Sequence, residues 1–235
     1  MKIKVIVIVG LILLANQLAS TNPLKANTKS ANHLLIRNST VLYKQLQLSK
    51  LGLKPEVFEK ALLGWKAMAE QHLLNKSRLL SIVDLSQSST HKRLYIIDME
   101  KEKVAYHTYV AHGRNSGEEY ARAFSNTPES FQSSLGFYLT GETYQGKHGF
   151  SLRLKGLEQG INHLAEERSI VMHGANYVSE AFIKQTGRLG RSQGCPAVCE
   201  ALSTPIINLI KQGSCLFIYY PDTQYLKKSH LLRQF

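Results

Sequence analysis

The sequence predicts a mainly β fold with helical additions, on three observations. From Leu79 onward the apolar residues fall in short β-branched and aromatic runs separated by polar or glycine-containing connections. Helical spacing of apolar residues is confined to the segment before residue 76 and to a few short later stretches. No motif recurs at a fixed period, which argues against solenoids and propellers.

Taken in order, residues 1–20 read as a signal peptide or N-terminal anchor. Met1 to Lys4 is a basic start, and Val5 to Ala15 is an apolar run shorter than the ~20 residues of a comfortable membrane span. Ala15, Ala19 and Ser20 offer small residues without completing an A-x-A site, so a cleaved signal and a retained anchor are both open. Either way the expected destination is outside the cytoplasm, in the periplasm or cell envelope. Residues 21–40, rich in Asn, Ser, Thr and Lys, read as a flexible leader. Residues 41–75 read as two helices. The second carries Pro55 at its first turn and an apolar stripe of Phe58, Leu62, Trp65 and Ala69.

The main body spans 76–225. Strands are expected at Leu79–Leu85, Arg93–Asp98, Lys103–Val110, Gly136–Thr140, Phe150–Leu154, Ile170–His173 and Cys215–Tyr220, forming an antiparallel sheet. Short helices are expected at 157–168, 177–185 and 201–211. The polar stretch from Ala111 to Gly136 contains no strand pattern. A loop of that length either serves a ligand or is a surface Ω-loop packed by Phe124 and Phe131. Residues 226–235 read as a C-terminal tail.

Of 235 residues, 43% are hydrophobic and 20% charged, ordinary values for one main core. The formal charge of +12 points to a polyanionic partner. The basic residues are scattered and no recognition-helix, zinc-finger or ribonucleoprotein pattern accompanies them, so nucleic acid is not the expected one. Membrane association is expected only through an uncleaved signal. Nine histidines are present without H-E-x-x-H or paired C-x-x-C spacing, and neither a phosphate loop nor a G-x-S-x-G elbow occurs. No metal or cofactor is implied.

What remains is a thiol and an imidazole. Ile170-Val-Met reads as a buried strand with His173 at its end, followed by Gly174. Ser192-Gln-Gly-Cys-Pro reads as a turn, in which Gly194 permits positive φ and Pro196 fixes the chain after the thiol. This pattern suits Cys195 as nucleophile, His173 as general base, and the N–H groups of Gly194 and Cys195 as an oxyanion hole. Three cysteines is an odd number, so a nucleophilic Cys195 must be free, while Cys199 and Cys215 are candidates for a disulfide.

These residues, together with Asp84-Leu-Ser, Val110-Ala-His-Gly-Arg-Asn-Ser-Gly, Ser133-Ser-Leu-Gly-Phe-Tyr, Gly146-Lys-His-Gly and Gly187-Arg-Leu-Gly-Arg-Ser, resemble the murein L,D-transpeptidase (YkuD-like) catalytic family over roughly residues 40 to 222. The resemblance implies a β-sandwich or barrel body and a thioester mechanism on peptidoglycan stem peptides. It assigns Cys195, His173, the backbone at Gly194, and Ser192 as a turn-shaping residue. The acyl donor is the L-centre of a diamino acid, with release of D-alanine. An amine acceptor makes the enzyme a transpeptidase and water makes it a carboxypeptidase. A wall-binding module on the same fold is the non-catalytic rival. Gln193 and Pro196-Ala depart from the family pattern, and the arginine usual after the nucleophile is missing. Arg191, Arg188 and Arg153 are therefore candidates to clamp a substrate carboxylate. Gly174, His112 and His148 are candidates to line the pocket.

Overall fold

The computed structural model describes residues 39–233; the expected signal or anchor at 1–20, the leader up to residue 38 and the last two residues lie outside that range. Residues 39–45 are helical, a single 3-10 turn follows at Leu48–Leu51, and α1 runs Pro55–Glu70. Pro55 sits where an unpaired N–H would otherwise be, so the ring fixes φ without losing a bond. The helix buries Val57, Phe58, Ala61, Leu62, Gly64, Ala67 and Met68. Trp65 lies at the edge of this face and donates its indole N–H to the Ser77 carbonyl at 2.7 Å. Gly64 allows α1 its close approach, because a Cβ there would stand 2.0 Å from Cζ of Phe137.

The body is one eight-stranded sheet. Its strands are β1 (Leu79–Asp84), β2 (Leu94–Asp98), β3 (Lys103–Thr108), β4 (Gly136–Gly146), β5 (Gly149–Gly156), β6 (Val171–Ala175), β7 (Ala197–Cys199) and β8 (Cys215–Tyr219), in the order β3-β2-β1-β8-β4-β5-β6-β7. β1 runs parallel to β8 and β6 parallel to β7, so the sheet is mixed rather than antiparallel. Backbone bridges Ala111↔Ala197 and Gly113↔Ser192 tie the chain after β3 to the chain around β7 and nearly close the sheet. Burial explains the parallel pair: β1, β2 and β8 are buried along their whole length, as strands covered on both faces must be. The remaining helices are α2 (Glu180–Thr186), α3 (Glu200–Ile210) and α4 (Thr223–Lys228).

Four expectations change. β7 replaces part of a segment read as turn and helix start; its three residues are too few to show an alternation. Residues 157–169 form successive turns instead of a helix. There the Asn162 side chain accepts from the Glu158 N–H and donates to the carbonyls of Leu135 and Phe137, bonds that compete with a helical ladder. The end of the chain is no tail as far as residue 233, because Ser229 and Leu231 are fully buried and Ser229 hydrogen-bonds the Glu158 carboxylate. Finally, all three cysteines are free. Cys215 is buried in β8 while Cys199 ends β7, with β4, β5 and β6 between them in the sheet, so the disulfide geometry is not met.

The helical segment at 41–75 packs into the same apolar core as the sheet. Leu48, Leu53, Val57, Phe58 and Ala61 belong to the same apolar core as Leu80, Phe137, Ile207 and Phe217.

Candidate active site

β6 and β7 bring the two expected reactive groups together. His173 pairs with Ala197 in a parallel ladder, and Cys195 lies two residues before that partner. The Val171 N–H points at the Cys195 sulfur at 3.5 Å, and the thiol in turn donates to the Ser169 carbonyl at 3.7 Å. Thiol and imidazole therefore sit on adjacent chains, about two residues apart along the strand direction, each with its own hydrogen bonds. Nδ1 of His173 lies 2.8 Å from the Gly174 carbonyl, which can only accept. That fixes the proton on Nδ1 and leaves Nε2 as the basic nitrogen.

The turn ahead of the thiol is held from three sides. Gly194 adopts φ 118°, and a Cβ there would meet the Gln132 carbonyl at 2.8 Å, so glycine is required by both conformation and space. Ser192 accepts from the Gly194 N–H at 3.1 Å and donates to the Cys195 carbonyl at 2.6 Å, two bonds that close the turn. Ser133 donates to the Gly194 carbonyl at 3.1 Å and accepts from the Gly113 N–H at 3.0 Å. Because the Gly194 N–H is spent inside the turn, the expected pair of oxyanion donors reduces to one. The Cys195 N–H has no acceptor among the described residues.

The electrostatics follow from this burial. Desolvation lowers the His173 pKa and raises that of Cys195. Arg168 and Lys147 are the charges that favour a thiolate, and Val171 N–H adds to them. His148, on the turn between β4 and β5, stacks on His173 with ring centroids 4.4 Å apart and 20° between planes. A charge on one ring disfavours a charge on the other.

Of the remaining candidates, His148 joins the site and Arg153 lies exposed on β5, opposite Val171. Arg188 and Arg191 are engaged with an acidic neighbour. Both bind the Glu118 carboxylate, at 2.9 and 2.6 Å, and Arg191 also donates to the carbonyls of Arg114 and Gly117. Gly174 abuts α3, where a Cβ would meet Ser203 Oγ at 2.8 Å, so its contribution is the carbonyl that orients His173. His112 is buried. Its Nδ1 accepts from the buried Arg93 at 2.7 Å and its Nε2 donates to the Gly117 carbonyl at 3.2 Å. Its own carbonyl accepts the Ser192 N–H at 3.0 Å, so it braces the catalytic turn from below. Burial and the neighbouring guanidinium push its pKa down to about 3.

Sequence reasoning missed Arg168. It donates to the carbonyls of Ser125 and Gln132 and to the hydroxyls of Ser130 and Ser134, fastening the 125–134 loop behind the turn that holds Cys195. No motif marks it, because it stood at the end of the expected 157–168 helix. The long polar loop is packed by its two phenylalanines and also braces the turn before Cys195. Phe124 packs on Tyr220 and Phe131 lies under Arg114, while Ser133 supports the nucleophile turn.

The structure thus holds a thiol and an oriented imidazole on adjacent chains of a nearly closed mixed sheet. Residues 49–219 match the L,D-transpeptidase catalytic domain family (YkuD_2), and the chain belongs to that family. Among solved structures, an L,D-transpeptidase from Mycobacterium smegmatis aligns at 10% identity and TM-score 0.38, covering 61% of this chain and 59% of that one. The helical cell-shape-determining protein Pgp2 from Campylobacter jejuni aligns at 14% identity and TM-score 0.42, covering 74% and 60%. L,D-transpeptidase 3 from Mycobacterium tuberculosis aligns at 11% identity and TM-score 0.38, covering 61% and 60%. Comparison with curated proteins gives no match. The family assignment rests on the sequence match.

Proposed function

We propose that the protein is an exported peptidoglycan L,D-transpeptidase that works through a Cys195 thioester. The observation that carries this is the placement of the Cys195 thiol beside β6, two register positions from an imidazole whose Nδ1 is held by Gly174. Nε2 of His173 takes the thiol proton as the sulfur turns from the Ser169 carbonyl toward the substrate. The sulfur attacks the carbonyl at the L-centre of the diamino acid in a tetrapeptide stem, and the Cys195 N–H faces the developing oxyanion. The proton passes from His173 to the departing amine, D-alanine leaves, and a thioester remains. An amine acceptor then loses a proton to His173, attacks the thioester and returns the thiolate, completing the cross-link. The positive charge of the chain suits an anionic wall, and the basic, apolar N-terminal segment suits delivery to it.

Mass analysis of products from disaccharide-tetrapeptide tests this reading. Dimers are expected; tripeptide alone would convert the assignment to a carboxypeptidase, and untouched substrate would leave a binding module. Cys195→Ala is expected to abolish turnover and the thioester adduct while leaving the fold intact, and retained turnover would overturn the mechanism.

A further inference from the structure

The outer face of β4, β5 and β6 carries a feature that the mechanism above leaves unused. Strand register sets which side chains share it. In an antiparallel pair, residues directly opposite one another project to the same side, with Cβ atoms about 5 Å apart. Arg153 is opposite Val171, and Val171 is the residue whose N–H reaches the Cys195 sulfur. Tyr144 is opposite Ser151 across β4 and β5, which puts its ring beside Arg153, and the guanidinium lies 4.6 Å from the ring centroid. Lys155 follows on the same side of β5 and is also exposed. Arg153 thus sits two strand spacings, about 10 Å, from the nucleophile's backbone.

The arginines of the site differ in what their donors already hold. Arg188 and Arg191 share Glu118. Arg168 is committed to four oxygens of the 125–134 loop. Arg153 is exposed, lies within 4.0 Å of no carboxylate among the described residues, and is steadied by the Tyr144 ring. Contact with the ring face restrains the guanidinium without using a carboxylate, and a guanidinium with its N–H donors uncommitted suits bidentate binding of a carboxylate.

We propose that Arg153, stacked on Tyr144, is the substrate-carboxylate clamp, taking over a role that no arginine beside Cys195 in sequence can fill. This rests on the transpeptidase reading. A tetrapeptide stem brings two carboxylates near the scissile bond, one on the departing D-alanine and one at the far end of the diamino acid. Both present the same chemistry to a guanidinium, and the substrate set below tells them apart.

The test uses the full chain with three peptides: the tetrapeptide with free carboxylates, its C-terminal amide, and the peptide amidated on the diamino acid side chain. Wild type, Arg153→Ala and Arg153→Lys are compared for kcat and KM by product mass, with thermal unfolding as the check on folding. Wild type is expected to disfavour one amide by about 10- to 100-fold, the scale of a charge-assisted hydrogen bond. Arg153→Ala is expected to lose that preference, mainly through KM, and Arg153→Lys to recover part of it. The amide that is disfavoured identifies the carboxylate. Equal use of all three peptides by wild type, a preference that survives in Arg153→Ala, or an equal loss on all three peptides would each overturn the proposal. Wild type that turns over none of them would instead remove the transpeptidase reading beneath it.

Discussion

At the scale of single residues, burial favours the neutral forms of the two groups to which the proposed mechanism gives the chemistry. His173 is lowered and Cys195 raised, first by desolvation in both cases. Both shifts favour a neutral imidazole and a neutral thiol, and the proposed mechanism places the proton transfer after substrate binding. The base form of His173 persists below the ordinary histidine value of about 6.5, so the acid limb of kcat/KM should have its midpoint below that pH. His148→Ala removes a neighbour that opposes charge on His173, and its acid limb should move upward; a midpoint that stays fixed would show that stacking carries no electrostatic weight. His112 gives a separate signature. Its folded pKa near 3 lies far below the unfolded value, so the unfolded chain binds the extra proton. Its contribution to stability is complete above about pH 6.5 and falls by about 1.4 kcal/mol per pH unit as the pH drops toward 3. Urea unfolding of wild type against His112→Gln, which keeps one acceptor and one donor, should show that slope only in wild type. Cys195, His173 and Ser192 were legible in the sequence because glycine, turn and strand signals surround them. Arg188 and Arg191 misled because their partner, Glu118, is seventy residues away in sequence and nothing local announces it.

At the scale of elements, most strands could be read from short β-branched and aromatic runs and the turn chemistry between them, whereas pairing could not. The parallel contacts β1–β8 and β6–β7 join distant segments, and their direction is settled by the connections around them. β7 carries only three residues, yet it sets the spacing between His173 and Cys195. The α1–sheet contact makes a sharper prediction. Alanine in place of an interior helical glycine ordinarily stabilises by up to about 1 kcal/mol. At Gly64 the added methyl would overlap the Phe137 ring, which itself stacks on Phe217 at 4.2 Å. Gly64→Ala should therefore destabilise by about 1–3 kcal/mol, read as a lower thermal midpoint. An unchanged or higher midpoint would mean that α1 can shift away from the sheet at little cost.

For the molecule as a whole, the main core runs from Leu46 to Leu231, and a second, smaller cluster of Ala111, Ala175, Val178, Leu189 and Ala197 lies around β6 and β7. The sequence suggested a helical segment, a catalytic body and a tail because composition changes at those points. Packing does not follow them. A chain beginning at residue 76 should lose cooperative unfolding, since it exposes the apolar surfaces that Leu53, Phe58 and Met68 cover. A chain ending at residue 225 should be destabilised as well, because the Glu158 carboxylate is buried and would lose Ser229. Near-ultraviolet circular dichroism of the two truncations tests both expectations; native-like spectra from either would restore the three-part division.

The unpaired state of all three cysteines has a practical side. A domain without cross-links makes no demand on an oxidising compartment or a disulfide-forming catalyst, so production in a reducing bacterial cytosol should yield the same fold as secretion. Added reductant is then a preservative, keeping reduced the thiol that the proposed mechanism uses, Cys195, while leaving the scaffold untouched.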